Sequence, residues 1–145
     1  MKKVCFLLLF VVVMIACSKD DDAKVNVSAV LTSKTNGWVF TSILVGSADL
    51  FQYYEDCDKD DATIFASAGT YTVSNTVKCD DSESAISDSG TWSLSSDQKT
   101  LTITDDAGPE TLTILEVDDS HLKATLSGDI DGTAVTATVT LVPKK

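Results

Sequence analysis

Apolar and polar residues alternate with a period of two through most of the second half of the chain. Five segments show this pattern: residues 91–95 (TWSLS), 100–104 (TLTIT), 111–115 (TLTIL), 121–126 (HLKATL) and 134–142 (AVTATVTLV). In each segment one face is apolar and the other is mostly threonine and serine. Because side chains of a β-strand point alternately to opposite faces, the pattern predicts five half-buried strands.

The connections between these segments are short and rich in turn-forming residues, for example SSDQK, DDAGPE, VDDS and GDIDG. Connections of this length join antiparallel neighbours, since parallel strands need longer crossovers. Three further strand-like segments precede them, at residues 38–45, 63–66 and 69–74. The sequence therefore predicts an all-β fold of about eight antiparallel strands, enough to close into an up-and-down barrel. A short helix within residues 25–34 is expected to pack over one end.

The N-terminal segment is a continuous apolar run without alternation. After Lys2 and Lys3, the run from Val4 to Ala16 carries no polar residue, and Cys17 follows it. As a helix this run would span roughly 20 Å, short of the ~30 Å hydrocarbon core of a bilayer, so it indicates a signal peptide and not a membrane span. The residues Met14-Ile15-Ala16-Cys17 resemble the bacterial lipobox, which implies lipidation of Cys17. The alternative is ordinary cleavage near Ala16 with a free thiol at Cys17.

This interpretation divides the chain into a signal peptide (1–16), a lipidated cysteine with an acidic tether (17–27) and a barrel domain (28–145). The segment SKDDD at 18–22 is similar to the export tag of Bacteroidota lipoproteins, which implies display on the outer face of the outer membrane. A plain charged tether on a periplasm-facing protein is the alternative. Stable anchoring requires more than one acyl chain, as the lipoprotein resemblance implies.

Charge narrows the range of partners. The chain has 22 acidic residues against 11 basic ones, a net charge of −11, and all 11 basic residues are lysines. Without arginine the chain has no bidentate fork for phosphate or carboxylate groups. Because the chain is acidic, repulsion disfavours nucleic acid and anionic membrane surfaces as partners.

The cysteines predict one disulfide. Cys5 lies in the signal peptide and Cys17 is the expected lipidation site, which leaves Cys57 and Cys79 as a pair in an exported, oxidising setting. A bridge between them would contribute roughly 3.4 kcal/mol on the chain-entropy account. Two free thiols are the alternative.

Several features in sequence order resemble the lipocalin-like domains of Bacteroidota lipoproteins. They are a tryptophan that opens the first strand, an acidic segment with a cysteine, an F-x(3)-G-x-Y pattern, a second cysteine and a GTWSLSSDQKTLTI stretch. In this chain they correspond to Trp38, Asp56–Asp61, Phe65 with Gly69 and Tyr71, Cys79, and Gly90–Ile103. The resemblance implies a small β-barrel with its two cysteines bridged. Unlike true lipocalins, the chain has Gly37 and Trp38 adjacent.

The acidic segment is a candidate metal loop. Asp56, Asp58 and Asp60 match the first three ligand positions of an EF-hand, but Asp61 falls where glycine is needed and Ser67 where a bidentate glutamate is needed. The pattern therefore favours a solvated loop without a metal site, although an irregular calcium site stays open as an alternative. No cofactor is predicted.

The sequence does not indicate an enzyme. His121 is the single histidine and falls on the polar side of its segment, away from any buried nucleophile. The acidic pairs lie in predicted turns, where aspartate stabilises the turn backbone. One histidine also cannot supply a zinc site.

Two functions remain open. Four aromatic residues on inward-facing strand positions could line a cavity for a small apolar ligand: Trp38, Phe40, Tyr71 and Trp92. In the alternative these residues fill the barrel, and its loops contact a surface protein or glycan. Three aromatic residues ahead of the acidic segment are candidates for a mouth loop: Phe51, Tyr53 and Tyr54.

Overall fold

The computed structural model describes residues 25–130 and 132–145, and their regular structure is almost entirely β. A short helix, α1 (Val27–Thr32), precedes nine strands. The strands are β1 (Trp38–Val45), β2 (Ala48–Asp49), β3 (Ala62–Phe65), β4 (Thr70–Ser74), β5 (Ile86–Leu94), β6 (Thr100–Asp105), β7 (Gly108–Val117), β8 (Leu122–Ile130) and β9 (Thr133–Pro143).

Eight of these strands form a closed antiparallel barrel. From β3 to β9 each strand pairs with the next along the chain, β1 pairs with β3, and β9 returns to pair with β1. The β1–β9 seam runs from Trp38↔Pro143 to Val45↔Ala137, with an irregularity between Phe40 and Ser42. The predicted fold class is therefore confirmed. The two-residue strand β2 pairs only with the end of β1 and lies outside the closed ring.

Helix α1 covers one end of the barrel, which we call the sealed end. The side chain of Asn26 accepts a hydrogen bond from the backbone N–H of Ala29 and so begins the helix, as N-cap residues do. Val27 and Leu31 are buried beneath it. The N–H of Val27 donates to Oε1 of Gln98 at 2.8 Å, which ties the helix to the β5–β6 turn. The helix expected within residues 25–34 is thus present.

The core fills the sealed half of the barrel. Its members are the inward residues that the alternation predicts, joined by two from the helix. The buried residues of this cluster are Val27, Leu31, Trp38, Phe65, Tyr71, Trp92, Leu101, Leu112, Leu122, Ala124, Val139 and Leu141.

Two glycines permit close contacts between neighbouring strands. Gly90 lies between Tyr71 on β4 and Thr104 on β6, and a Cβ atom there would lie 2.1 Å from the carbonyl oxygen of Thr104 and 2.9 Å from Cε1 of Tyr71. Gly37 adopts φ +84°, and a Cβ atom there would lie 2.8 Å from the carbonyl oxygen of Thr63. Only glycine fits these places without displacing backbone atoms.

Three features were not predicted. They are strand β2, the 3₁₀ helix Leu50–Tyr53, and the first half of β5, which begins at Ile86. The extension of β5 has the polar sequence ISDSG, so it lacks the apolar alternation that marks the other strands. The 3₁₀ helix is held by Asp49, whose side chain accepts from the N–H of Phe51.

Candidate functional site

The aromatic residues predicted to line a cavity lie in or against the packed core. Trp38 is 0 % exposed, Tyr71 4 % and Trp92 9 %, while Phe40 is partly buried against them. The hollows of the described part of the chain include four of about 270–730 Å³, and none of these four is lined by any of these aromatic residues.

Hydrogen bonds fix the two tryptophans in these positions. Nε1–H of Trp38 donates to the carbonyl of Leu31 at 3.1 Å, which joins the helix to β1. Nε1–H of Trp92 donates to the carbonyl of Ala66 at 2.9 Å, and its ring meets Phe65 edge-on with centroids 5.5 Å apart. Buried tryptophan usually finds such a partner for its N–H group. These contacts are those of core residues.

On four strands, β1, β4, β6 and β8, the burial of inward residues decreases towards the end opposite α1, which we call the open end. Four inner residues near the sealed end are fully buried: Trp38, Tyr71, Leu101 and Ala124. The next inner residue on each of the same strands is only partly buried: Phe40, Val73, Ile103 and Leu126. The interior therefore meets solvent at the open end, where its wall is apolar but partly exposed.

Polar groups line the interior just beyond this apolar wall. The hydroxyl of Tyr71 donates to Oδ2 of Asp88 at 2.9 Å, past the space that Gly90 leaves free. Burial, then the hydrogen bond to Asp88 and the negative charges of Asp88, Asp105 and Glu110, raise the pKa of Tyr71. The tyrosine thus stays neutral at any physiological pH and acts as a fixed donor to Asp88.

The predicted mouth-loop residues lie at the open end, but they differ in burial. Tyr53 is 78 % exposed and Tyr54 is also exposed, whereas Phe51 is half-buried and stacks on Tyr54 with ring centroids 5.8 Å apart. Asp49 holds this segment, because its carboxylate accepts from the N–H groups of Ile43 and Phe51 and from the hydroxyl of Ser42. The bond from Ile43, with smaller contributions from Phe51 and Ser42, holds the pKa of Asp49 below its ordinary value.

The predicted disulfide is present between Cys57 and Cys79, with Cα atoms 5.2 Å apart. It joins the loop 54–61, which precedes β3, to the loop 75–85 between β4 and β5. Two exposed apolar residues, Val77 and Ile86, lie in or beside the second loop. We call the exposed apolar residues in these two loops or directly beside them, Tyr53, Tyr54, Val77 and Ile86, the mouth surface.

A lysine near the C-terminus of the chain also contacts the same two loops. Nζ of Lys144, which follows β9, donates to the carbonyl of Asp60 at 2.6 Å and to Oγ1 of Thr76. It also lies 3.6 Å from the carboxylate of Asp60. The loops at the open end are therefore fixed by both a covalent link and a charged contact.

The acidic segment does not form the coordination cage of an EF-hand. Among the described residues, the group of His, Cys, Asp and Glu side chains with ligand atoms close enough to share an ion consists of Glu55, Cys57 and Cys79. Both sulfur atoms of this group are used in the disulfide. Cys57, Asp58 and Asp61 of this segment instead form one wall of a hollow.

His121 lies in the tight turn between β7 and β8. Its Nδ1 is 3.1 Å from Oγ of Ser120 and 3.1 Å from Oδ1 of Asp118, and the Ser120 hydroxyl also donates directly to Asp118 at 2.7 Å. In a catalytic triad the imidazole stands between hydroxyl and carboxylate, with one nitrogen for each. Here the oxygens of Ser120 and Asp118 both lie at Nδ1, and Nε2 lies 3.4 Å from a carboxylate oxygen of Glu116. The Ser120 hydroxyl donates its proton to Asp118 and not to the imidazole, and the whole group lies in an exposed turn. This arrangement stabilises the turn.

The hydrogen bonds of this turn predict how the stability of the protein depends on pH. Hydrogen bonds from the hydroxyl and N–H of Ser120, then from the N–H of His121, lower the pKa of Asp118 from 3.8 to about 2. The carboxylate therefore stabilises the fold fully above pH 4, and this contribution disappears as the pH falls towards 2. Asp118→Asn keeps one acceptor oxygen but does not titrate. Between pH 5 and pH 2.5 the free energy of unfolding in urea should fall less in this variant than in the wild type. Equal decreases in the two proteins would contradict this role.

Charge is distributed very unevenly along the barrel axis. Residues 46–61, 75–88 and 105–110, together with Asp129, surround the open end and contain fourteen acidic side chains and two lysines. The remainder of the described chain contains four acidic side chains and five lysines, one of which, Lys144, directs its ammonium group to Asp60. The open end is therefore strongly negative and the sealed end is close to neutral.

The architecture is that of a small, closed antiparallel β-barrel with one end covered by a helix. The family model described as a lipocalin-like domain matches residues 25–124, and the chain belongs to this family. The matched part includes α1 and both cysteines of the disulfide. No curated protein matches the sequence. The family is typically a non-enzymatic binding fold.

Predictions on the N-terminal segment concern residues outside those that the structure describes. The signal peptide, the lipidation site Cys17 and the tag at 18–22 all lie within residues 1–24. Within the described residues, no helix is long and apolar enough to span a bilayer.

Proposed function

We propose that this protein is a non-enzymatic, lipid-anchored binding protein of the outer membrane that contacts its partner through the mouth surface. The anchor rests on the apolar run ending at Cys17 and on the acidic tag that follows, which favours display at the cell surface over a periplasm-facing position. The binding role rests on the lipocalin-like barrel.

One contrast supports the mouth surface over a deep cavity as the binding site. The inward residues Trp38, Tyr71 and Trp92 are buried against one another and the helix, so they have no free surface to offer a ligand. Tyr53 and Tyr54, by comparison, expose their rings on a segment held by Asp49 and close to the disulfide. An exposed tyrosine on a segment whose backbone is held loses only two side-chain rotations on binding, which is why tyrosine is enriched in contact surfaces.

The partner on this interpretation is another macromolecule at the cell surface, a protein or a glycan. A photo-crosslinking amino acid at position 53, introduced in the full-length protein in cells, should give a discrete adduct. Position 115 is a matched control, because Leu115 is also an exposed apolar residue (54 %) but lies near the sealed end. Adducts of the same pattern from both positions, or none from position 53, would refute the proposal.

A second candidate function has one observation in its favour. Phe40, Val73, Ile103 and Leu126 face the interior near the open end and are only partly buried, so a small apolar ligand could rest on this wall. Native mass spectrometry after mild detergent extraction would reveal a copurified ligand as an added mass. If that mass is present in the wild type and absent in Leu126→Trp, which adds bulk to this wall, the barrel interior is the site.

A further inference from the structure

A hollow of about 310 Å³ lies between the two loops that the disulfide joins. Its wall contains Cys57, three carboxylates (Asp58, Asp61 and Glu83), the amide of Asn75 and the exposed apolar side chain of Ile86. The volume is at the lower end of the range for ligand pockets, so it suits the end of a side chain better than a whole drug-sized molecule. The hollow is next to the mouth surface, of which Ile86 is part.

Two oxygen atoms in this wall have no hydrogen-bond partner. Oδ1 of Asp61 and Oδ1 of Asn75 are both buried, and neither accepts a bond within the described residues. Nδ2 of Asn75 donates to the carbonyl of Ser84 at 3.2 Å, which holds the amide in place. Buried acceptors without donors cost free energy, of the order of 1–3 kcal/mol each. N–H donors that a ligand brings into the hollow would recover this cost once the side chains of Asp61 and Asn75 turn these oxygens towards it.

The charges around Asp61 are mostly of its own sign. Burial, then the neighbouring carboxylates of Asp60 and Asp58, raise the pKa of Asp61, while Lys144 acts in the opposite direction and Glu83 adds to the increase. Lys144 directs its ammonium group to Asp60 and Thr76, and Lys59 pairs with Asp56 at 2.9 Å. These two lysines are thus engaged outside the hollow, and the wall of the hollow contains three carboxylates and no lysine.

An organic cation fits this wall better than a metal ion. Calcium needs six to eight oxygen ligands at about 2.3–2.6 Å. The carboxylate oxygens of Asp58, Asp61 and Glu83 do not form a group close enough to share an ion. An ammonium group presents three N–H donors and a guanidinium group five, at longer distances and with less strict geometry. The cationic end of a lysine or arginine side chain therefore matches the hollow in charge, size and donors.

We propose that a basic polypeptide segment docks on the mouth surface and inserts the cationic end of a lysine or arginine side chain into this hollow. The negative open end attracts such a segment, while Tyr53, Tyr54, Val77 and Ile86 contact its apolar parts. Tyrosine faces also attract cations. The inference deepens the proposed function and rests on it for the polypeptide partner, but the hollow is a separate set of residues.

The test uses the full chain in detergent and three probes: a short lysine-containing peptide, the same peptide with norleucine in place of lysine, and the free polyamine spermidine. Asp61→Asn removes one charge from the hollow with almost no change in size. Asp106→Asn removes one charge at the open end outside the hollow and is the matched control. Glu83→Gln serves as a second hollow variant, and urea unfolding checks that each variant is folded.

We expect the lysine peptide to bind and Asp61→Asn to weaken it at least tenfold, since a hydrogen bond to a charged group typically contributes about that factor or more. Asp106→Asn should change the affinity less than twofold. Equal binding of the norleucine peptide, equal effects of the Asp61 and Asp106 variants, or no peptide binding would overturn the proposal. Spermidine binding that depends on Asp61, without peptide binding, would assign the hollow to free amines and refute the polypeptide partner.

The result that would refute the mouth surface differs from the result that would refute the hollow. Peptide binding that depends on Asp61 but is unchanged in a Tyr53→Ala, Tyr54→Ala variant would support the hollow and remove the mouth surface from the contact. Peptide binding that is weakened in the tyrosine variant but not in Asp61→Asn would support the mouth surface and remove the hollow from the contact.

Discussion

Trp38→Ala is expected to destabilise the protein by about 3–5 kcal/mol, the usual cost of removing a fully buried large aromatic side chain. The side chain is 0 % exposed and packs between the barrel core and helix α1, which it also holds through the bond from Nε1 to the carbonyl of Leu31. The variant leaves a large cavity, and the Leu31 carbonyl loses a partner. Small domains are stable by about 5–15 kcal/mol, so this loss is about a fifth of the stability or more.

Urea unfolding followed by far-UV circular dichroism measures this loss. Trp38→Phe separates its two causes, since it keeps most of the apolar volume but cannot donate to Leu31, and we expect it to lose roughly 1–3 kcal/mol. Tyr53→Ala is the control for the loss of an exposed aromatic residue and should change stability by less than about 0.5 kcal/mol. If Trp38→Ala costs no more than Tyr53→Ala, the tryptophan does not join helix and barrel as described.

Removal of the disulfide is expected to have the second-largest effect. The bridge spans a sequence separation of 22 residues, and on the chain-entropy account it stabilises the fold by about 3.4 kcal/mol, because it restricts the unfolded chain. Cys57→Ala, Cys79→Ala should lower the free energy of unfolding by about this amount. The same change also frees two loops that form the mouth surface and the hollow, so affinity for the lysine peptide should fall with stability.

Dithiothreitol provides an internal control for this experiment. Reduction should bring the stability of the wild type close to that of the double variant, and it should leave the variant unchanged. A wild type equally stable with and without reductant would show that the bridge makes no contribution. Peptide affinity that survives in the folded double variant would show that Lys144 alone keeps the loops in place.

The period-two pattern was sufficient to predict the barrel, because the direction of each side chain follows from strand geometry alone. The inward positions of Trp38 and Tyr71 could thus be predicted, but whether they surround a cavity could not. The free volume inside a barrel depends on how side chains from all eight strands and from α1 interlock, and no single strand contains that information. The helix contributes decisively, since Leu31 occupies the space above Trp38.

The hollow could not be predicted from the sequence, for a related reason. Asp61 and Asn75 belong to different loops, and they approach each other because the β3–β4 pairing and the disulfide bring those loops together. In the sequence, each of the two resembles an ordinary residue of a solvent-exposed loop. The first half of β5 could have been found from one signal, the alternation of Ile86, Asp88 and Gly90 with serines, in phase with Trp92. The inward positions of this half are Asp88, which is charged, and Gly90, which has no side chain. Hydrophobicity alone therefore does not identify it as a strand.

The uneven charge along the barrel axis gives the molecule an electric dipole, with its negative pole at the open end. Residues 1–24 precede α1, so a lipid anchor at Cys17 would connect to the sealed end. At an anionic membrane surface, the field repels the negative pole and leaves the nearly neutral pole next to the lipid, within a Debye length of about 8 Å at physiological ionic strength. A tethered barrel would therefore stand upright, with its loops turned towards the surroundings, and added salt would let it tilt.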